Sequence, residues 1–142
     1  MTLTLDHART MIQTAFAKGA ELNLKPLTVA VLDAGGALVA LERMTGASPM
    51  RPEIAIGKAN GAVQMGIGSR ALQTRAESQP FFIQAMNALA KGSLVPVPGG
   101  VLVRDEEGRV IGAVGITGDT SDNDEICAVA GIKACGFTAD HG

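Results

Sequence analysis

Residues 101–117, VLVRDEEGRVIGAVGIT, have the pattern of a β-hairpin. Two runs rich in valine and isoleucine flank the polar turn EEG, and such runs favour strands. Residues 27–43, LTVAVLDAGGALVALER, repeat this pattern around a DAGG turn. Two hairpins predict an antiparallel sheet, with helices that cover its face or faces.

Apolar spacing, proline positions and capping residues predict five helices, at residues 5–23, 52–65, 69–76, 80–89 and 122–135. Thr4 is the predicted N-cap of the first helix, and Pro52 suits a first helical position. Asp122 or Ser121 is the predicted cap of the last. The order α-ββ-ααα-ββ-α therefore predicts one α+β domain over residues 1–142. His141, in the ADHG tail, is expected to be disordered.

Composition excludes several function classes. The net charge is −2 and the chain has no Trp or Tyr, so neither a basic surface nor base-stacking platforms support nucleic-acid binding. No apolar run reaches the ~20 residues of a membrane span, and no secretory signal is recognisable, so a cytoplasmic protein is expected. Cys127 and Cys135 lie about 12 Å apart if they share a helix, too far for a disulfide.

Glycine recurs at every third position of the second hairpin, at residues 112, 115 and 118. A dinucleotide fingerprint has a different spacing, and the acids that follow between residues 119 and 125 would repel a phosphate. Calcium-loop spacing is also absent, so capping of the last helix is the better interpretation of those acids. The glycines indicate close approach, either by a tightly packed helix or by a flat ligand. The sequence leaves both alternatives open.

Five segments together carry a family resemblance: TLTLDHARTMI, VAVLDAGGALVALERMTGA, EIAIGKANGA, VPGGVLVRDEEGRVIGAVGITG and DNDEICAVAGI. In this order they resemble the GlcG/HbpS haem-binding family, which includes the C-terminal domain of PduO-type proteins. The resemblance implies a profilin-like or roadblock-like fold, a central antiparallel sheet flanked by helices on both faces. It also implies a homo-oligomer that binds a small-molecule ligand, with haem as the expected cofactor.

The resemblance makes His7 the candidate axial ligand of haem iron, because some relatives use a histidine of the first helix. Helical spacing directs His7 away from the predicted apolar stripe, alongside Met11, toward solvent or a neighbouring subunit. A solvated surface histidine is the alternative. With no Tyr in the chain and no Cys expected nearby, only Met remains as another strong axial ligand. Thr117, at the end of the glycine-containing strand, is a candidate for a weak oxygen contact.

Charged positions of the helix EIAIGKANGA supply further candidates, Glu53 and Lys58. Lys58 lies among alanines and glycines, so its charge must be paired within the fold, exposed at the surface, or matched by a ligand carboxylate. Arg43 is a second candidate cation for that carboxylate. The pair Gly99 and Gly100 matches a family motif whose N–H groups contact a ligand, although a turn with positive φ is the alternative.

These observations lead to three hypotheses. In the first, the protein captures haem or a similarly flat, carboxylate-bearing molecule and handles it or assists a catabolic pathway. In the second, it is a small catabolic enzyme in which Glu53, Lys58 or Asp124 acts as acid or base on a carboxylate or carbonyl compound. In the third, it is a structural partner of another protein. No catalytic triad or metal-spaced cluster in the sequence supports the second.

Overall fold

The computed structural model describes residues 1–142 and contains five helices and five strands. In chain order these are α1 (Leu5–Glu21), β1 (Thr28–Asp33), β2 (Leu38–Arg43), α2 (Arg51–Met65), α3 (Ser69–Ser78), α4 (Pro80–Leu89), β3 (Gly100–Arg104), β4 (Val110–Thr117), α5 (Ser121–Ala134) and β5 (Thr138–Asp140). The predicted α+β fold and all five predicted helices are confirmed. No helix has the length and apolar character needed to span a membrane.

The strands form one antiparallel sheet in the order β2-β1-β4-β3-β5. Both predicted hairpins are present, and β1 pairs with β4 to join them into one layer. The short strand β5 pairs with β3, so the prediction of a disordered tail is wrong. An ion pair between Arg104 of β3 and Asp140 of β5, 2.8 Å long, helps to hold this segment against the sheet.

Helices cover both faces of the sheet, as the resemblance implies. On one face α1 and α5 bury a large apolar cluster with alternate residues of β1, β3 and β4, among them Val31, Val103 and Val114. On the other face α2 packs on the intervening residues, such as Leu32 and Leu102. The α3–α4 pair attaches beyond α2 through a separate small cluster of Leu72, Ile83 and Leu94.

The space beside the glycines at residues 112, 115 and 118 is filled by other parts of the same chain. A Cβ at Gly115 would overlap the carbonyl oxygen of Ala55 in α2, and one at Gly112 would overlap that of Leu32. Gly118 has a φ of +143°, which only glycine adopts readily. The interpretation of these glycines as a bare face for a flat ligand is therefore wrong. The packed-helix alternative is correct at Gly115, whereas Gly112 lies against β1 and Gly118 against Pro26.

The N-cap of α1 is the predicted residue, whereas the N-cap of α5 is a different residue from the predicted one. The Thr4 hydroxyl accepts from the His7 N–H at 3.1 Å, which confirms the predicted cap of α1. At α5 the cap is Thr120, whose hydroxyl accepts from the Asn123 N–H at 3.2 Å. The prediction of Asp122 or Ser121 is wrong, because α5 begins one residue earlier and includes both in its first turn.

Candidate functional site

A buried ion pair joins the two helical layers at one end of the sheet. Lys58 of α2 and Asp124 of α5 are 2% and 1% exposed, and Lys58 Nζ lies 3.1 Å from Asp124 Oδ2. Lys58 Nζ also donates to the Ile116 carbonyl of β4 at 2.9 Å. The other oxygen of Asp124, Oδ1, accepts from the Asp119 N–H at 3.0 Å. One network thus connects α2, β4 and α5.

Burial dominates the electrostatics of this pair. Desolvation lowers the pKa of Lys58 and raises the pKa of Asp124, while the attraction between the two groups opposes both shifts. The nearby positive charge of Arg51 lowers the pKa of Lys58 further. Because Lys58 is paired and almost fully buried, it corresponds to the ion-pair alternative and not to an open cation for a ligand carboxylate.

Gly99 and Gly100, at the start of β3, make room for this pair. Gly99 has a φ of +121°, and a Cβ there would lie 2.9 Å from Lys58 Nζ. The Gly100 N–H donates to the Ser69 hydroxyl at 2.7 Å, so it is not free for a ligand. A Cβ at Gly100 would overlap the Lys58 carbonyl. Both glycines therefore allow α2 and α3 to approach the sheet, and Gly99 adopts the positive φ of the turn alternative.

A polar pocket of about 290 Å³ lies beside Thr117 and is lined by Lys25, Arg51, Gly118, Asp119 and Thr120. Arg51 Nη1 donates to the Thr117 hydroxyl at 2.7 Å and positions the guanidinium at this pocket. Thr28 is opposite Thr117 in the β1–β4 register, and its buried hydroxyl has no hydrogen-bond partner. Lys25 and Thr28 are not predictable as site residues from the sequence, since nothing near them in the chain marks a site.

Arg43 and Glu53 are both exposed, and neither bonds to Lys58 or Asp124. Arg43 Nη1 donates to the Ala47 carbonyl at 2.6 Å. Glu53 lines a separate cavity of about 270 Å³ with Ile56, Lys91, Gly92 and Ser93. The structure therefore joins Lys58 and Asp124 but leaves Glu53 in a different cavity, so the three candidate acid–base residues of the enzyme hypothesis do not form one site.

His7 is half-buried in the first turn of α1. Its Nδ1 accepts from the Thr4 N–H at 3.1 Å, and its ring meets Phe137 edge-on with centroids 4.9 Å apart. Neighbouring Met11 is fully buried because α5 covers that side of α1, which the spacing argument did not anticipate. Cys135 Sγ lies 3.6 Å from the His7 carbonyl, so the expectation of no nearby cysteine is wrong.

The candidate residues consequently fall into two groups. Cys135, beside His7, and Asp124, beside Lys58, are eleven residues apart at opposite ends of α5, about 16 Å at 1.5 Å per residue. A single chain therefore places the candidate iron ligand far from the buried pair and from the polar pocket next to it. Both cysteines are free thiols, as predicted.

A third feature, which we call the α2–α4 cleft, has a volume of about 390 Å³. Its lining residues are Asn60, Gln64, Met65, Met86, Leu89, Ala90, Lys91 and Leu94. The cleft is not predictable from the sequence, because it is formed by two helices that a connecting helix separates along the chain.

The architecture is an α+β fold, an antiparallel sheet between two helical layers with cavities at its surface. Residues 3–133 match the family described as haem-degrading protein HbpS-like, and the chain belongs to that family. It is also 32% identical over 127 residues to an uncharacterised 15.0 kDa protein from the dhaT–dhaS intergenic region of Citrobacter freundii. That alignment covers 89% of this chain and 87% of the relative.

Solved structures give the same result. The PduOC:heme complex is 25% identical, with a TM-score of 0.85 over 96% of this chain and 97% of that chain. Klebsiella pneumoniae protein ORFY is 27% identical, with a TM-score of 0.85 over 96% and 92%. HbpS is 26% identical, with a TM-score of 0.80 over 94% and 90%. These relationships confirm the family resemblance and support a haem-related binding function.

Proposed function

We propose that this protein binds haem, or a similarly flat carboxylate-bearing ligand, with His7 as the axial ligand of the iron. The observation that carries the proposal is the setting of His7. Its ring is held from one side by Thr4 and from another by Phe137, it is half-buried, and its Nε2 has no hydrogen-bond partner. Family membership and the similarity to a haem complex support the same ligand.

The hydrogen bond to Thr4 sets a condition on ligation. A backbone N–H only donates, so Nδ1 must accept, and the neutral ring then carries its proton on Nε2. Ligation through Nε2 requires that proton to leave Nε2 and Nδ1 to be protonated, which ends the contact with Thr4. Losing one such capping bond costs about 1 kcal/mol, and the freed Thr4 N–H is exposed to water. His7 therefore fits the role of an iron ligand at a small cost in helix stability.

Because Lys58 is buried and paired, we propose that more accessible cations bind the ligand's carboxylates. Arg43 is exposed, and Arg51 and Lys25 line the polar pocket beside Thr117. Because these groups lie at the far end of α5 from His7, we propose that the site is completed by a second copy of the chain. Haem would supply an iron for His7 and propionates for these cations. The homo-oligomer and the cytoplasmic location remain predictions.

A hemin titration with a matched pair of variants tests this function. His7→Gln removes the imidazole but keeps a capping-box residue three positions after Thr4, so α1 stays capped. His141→Gln is the control, since His141 is the only other histidine. We expect a shifted Soret band in the wild type and in the control, and its loss in His7→Gln. A Soret band unchanged by His7→Gln would refute the ligand assignment, and no shift in the wild type would refute haem binding.

A further inference from the structure

The α2–α4 cleft lies in a different layer from His7. Its walls are α2, α4 and the segment that follows α4, on the face of the sheet opposite α1 and α5. At about 390 Å³ it falls within the range of about 300–1,000 Å³ that small-molecule pockets occupy. It is also apart from the polar pocket at Thr117, with which it shares no lining residue.

Most of the cleft is apolar and adaptable. Met65, Met86 and Leu89 line it with Ala90 and Leu94. The two methionines are unbranched and change shape at low cost, which suits an apolar guest of variable form. Leu89 is 76% exposed, so a bound molecule would remove apolar surface from water at this wall.

A single charge stands at the edge of the cleft. Lys91 is its only charged lining residue. Lys91 also lines the neighbouring cavity with Glu53, but no carboxylate lies within 4.0 Å of its ammonium group. The backbone holds Lys91 in place, with a φ of +55° and its N–H bonded to the Ala88 carbonyl at the end of α4. The amides of Asn60 and Gln64 supply additional polar atoms at the opposite wall.

We propose that the α2–α4 cleft is a second binding site, for a small monocarboxylate with an apolar body. The methionines and leucines receive the apolar part, and Lys91 pairs with the carboxylate. This charge complementarity favours a small acid over a symmetric contact between the α4 helices of two copies, because α4, residues 80–89, carries no charged side chain that could meet Lys91 of the other copy. The site is independent of the proposed haem site.

Methionine-methyl NMR tests this proposal with octanoate as the probe. We expect the methyl signals of Met65 and Met86 to shift and saturate, while that of Met11, fully buried on the other face, stays in place. 1-Octanol, which has the same chain without the charge, should bind more weakly. Lys91→Gln should weaken octanoate binding about fivefold, the effect of one accessible ion pair. Lys133→Gln, a change at an exposed lysine of α5, should leave it unaltered.

Several outcomes would overturn the proposal. Shifts spread evenly over all methionines would mean unspecific binding, and equal affinities for octanoate and 1-octanol would remove the role of the carboxylate. Signals of Met65 and Met86 that move on protein dilution, without octanoate, would show that a second copy covers the cleft. Octanoate binding that survives in His7→Gln would support a site separate from haem, so failure of either proposal is distinguishable from failure of the other.

Discussion

Replacement of Lys58 by methionine should lower the free energy of unfolding more than any surface substitution does. The variant leaves the Asp124 carboxylate, 1% exposed, with only the Asp119 N–H as a partner. Removing one member of a buried ion pair costs about 3–5 kcal/mol, since the remaining charge is uncompensated. For a domain of this size that corresponds to a fall in Tm of about 10 °C or more. Urea unfolding followed by far-UV circular dichroism at pH 7 measures the free energy directly.

A double-mutant cycle separates the ion pair from simple loss of packing. Asp124→Asn keeps an acceptor for the Asp119 N–H and removes the charge, so the double variant Lys58→Met/Asp124→Asn should recover much of the stability lost by Lys58→Met. Lys133→Met, at an exposed lysine, should change the free energy of unfolding by less than about 0.5 kcal/mol. The reasoning fails if Lys58→Met costs less than about 1 kcal/mol, or if the two changes are simply additive.

Two further changes test close packing and pH dependence. Gly115→Ala should lower the free energy of unfolding in urea by about 3 kcal/mol or more, because its Cβ would overlap the Ala55 carbonyl. Gly35→Ala is the control and should be close to neutral, since its Cβ meets nothing nearer than 3.5 Å. Equal effects of the two substitutions would contradict the packing argument. The side-chain bond from Asn123 and two backbone N–H groups lower the pKa of Asp119 from 3.8 to about 2. A carboxyl with a depressed pKa contributes stability that is present above about pH 4 and lost as the pH falls toward 2. Asp119→Asn should therefore flatten that part of a curve of Tm against pH. An unchanged slope in the variant would contradict this role of Asp119.

Secondary structure could be predicted from the sequence wherever residues close together in the chain determine it. The two hairpins follow from alternating β-formers around turn residues, and the predicted start and end of α4 agree with the structure because Pro80 fixes its first turn. The cap of α5 was misplaced since Thr120, Ser121 and Asp122 are all good capping residues, and only the backbone conformation selects one. Strand β5, three residues long, is too short to give a pattern.

Contacts between segments far apart in the chain could not be predicted from the sequence in the same way. The Lys58–Asp124 pair joins residues 66 positions apart, and the sequence could state only that a charge amid alanines needs a partner. The glycine series of β4 gave two alternatives with the same local signature, because a helix backbone and a flat ligand both require the absence of a Cβ. The neighbour that fills the space at Gly115 is Ala55, on a helix whose position depends on the whole sheet.

The separate attachment of the α3–α4 pair has a consequence for motion. The ion pair binds α2 to α5 across the sheet, so these elements should exchange their amide protons in one cooperative step, at the free energy of global unfolding. α4 contains a single buried side chain, Ile83, and packs mainly against α3, so it can detach while the sheet stays intact. α3 is held more firmly, because Ser69 bonds to Gly100 and Arg70 pairs with Asp122 and Glu125. The α4 wall of the α2–α4 cleft is therefore weakly anchored, and a ligand can enter by local opening of that wall.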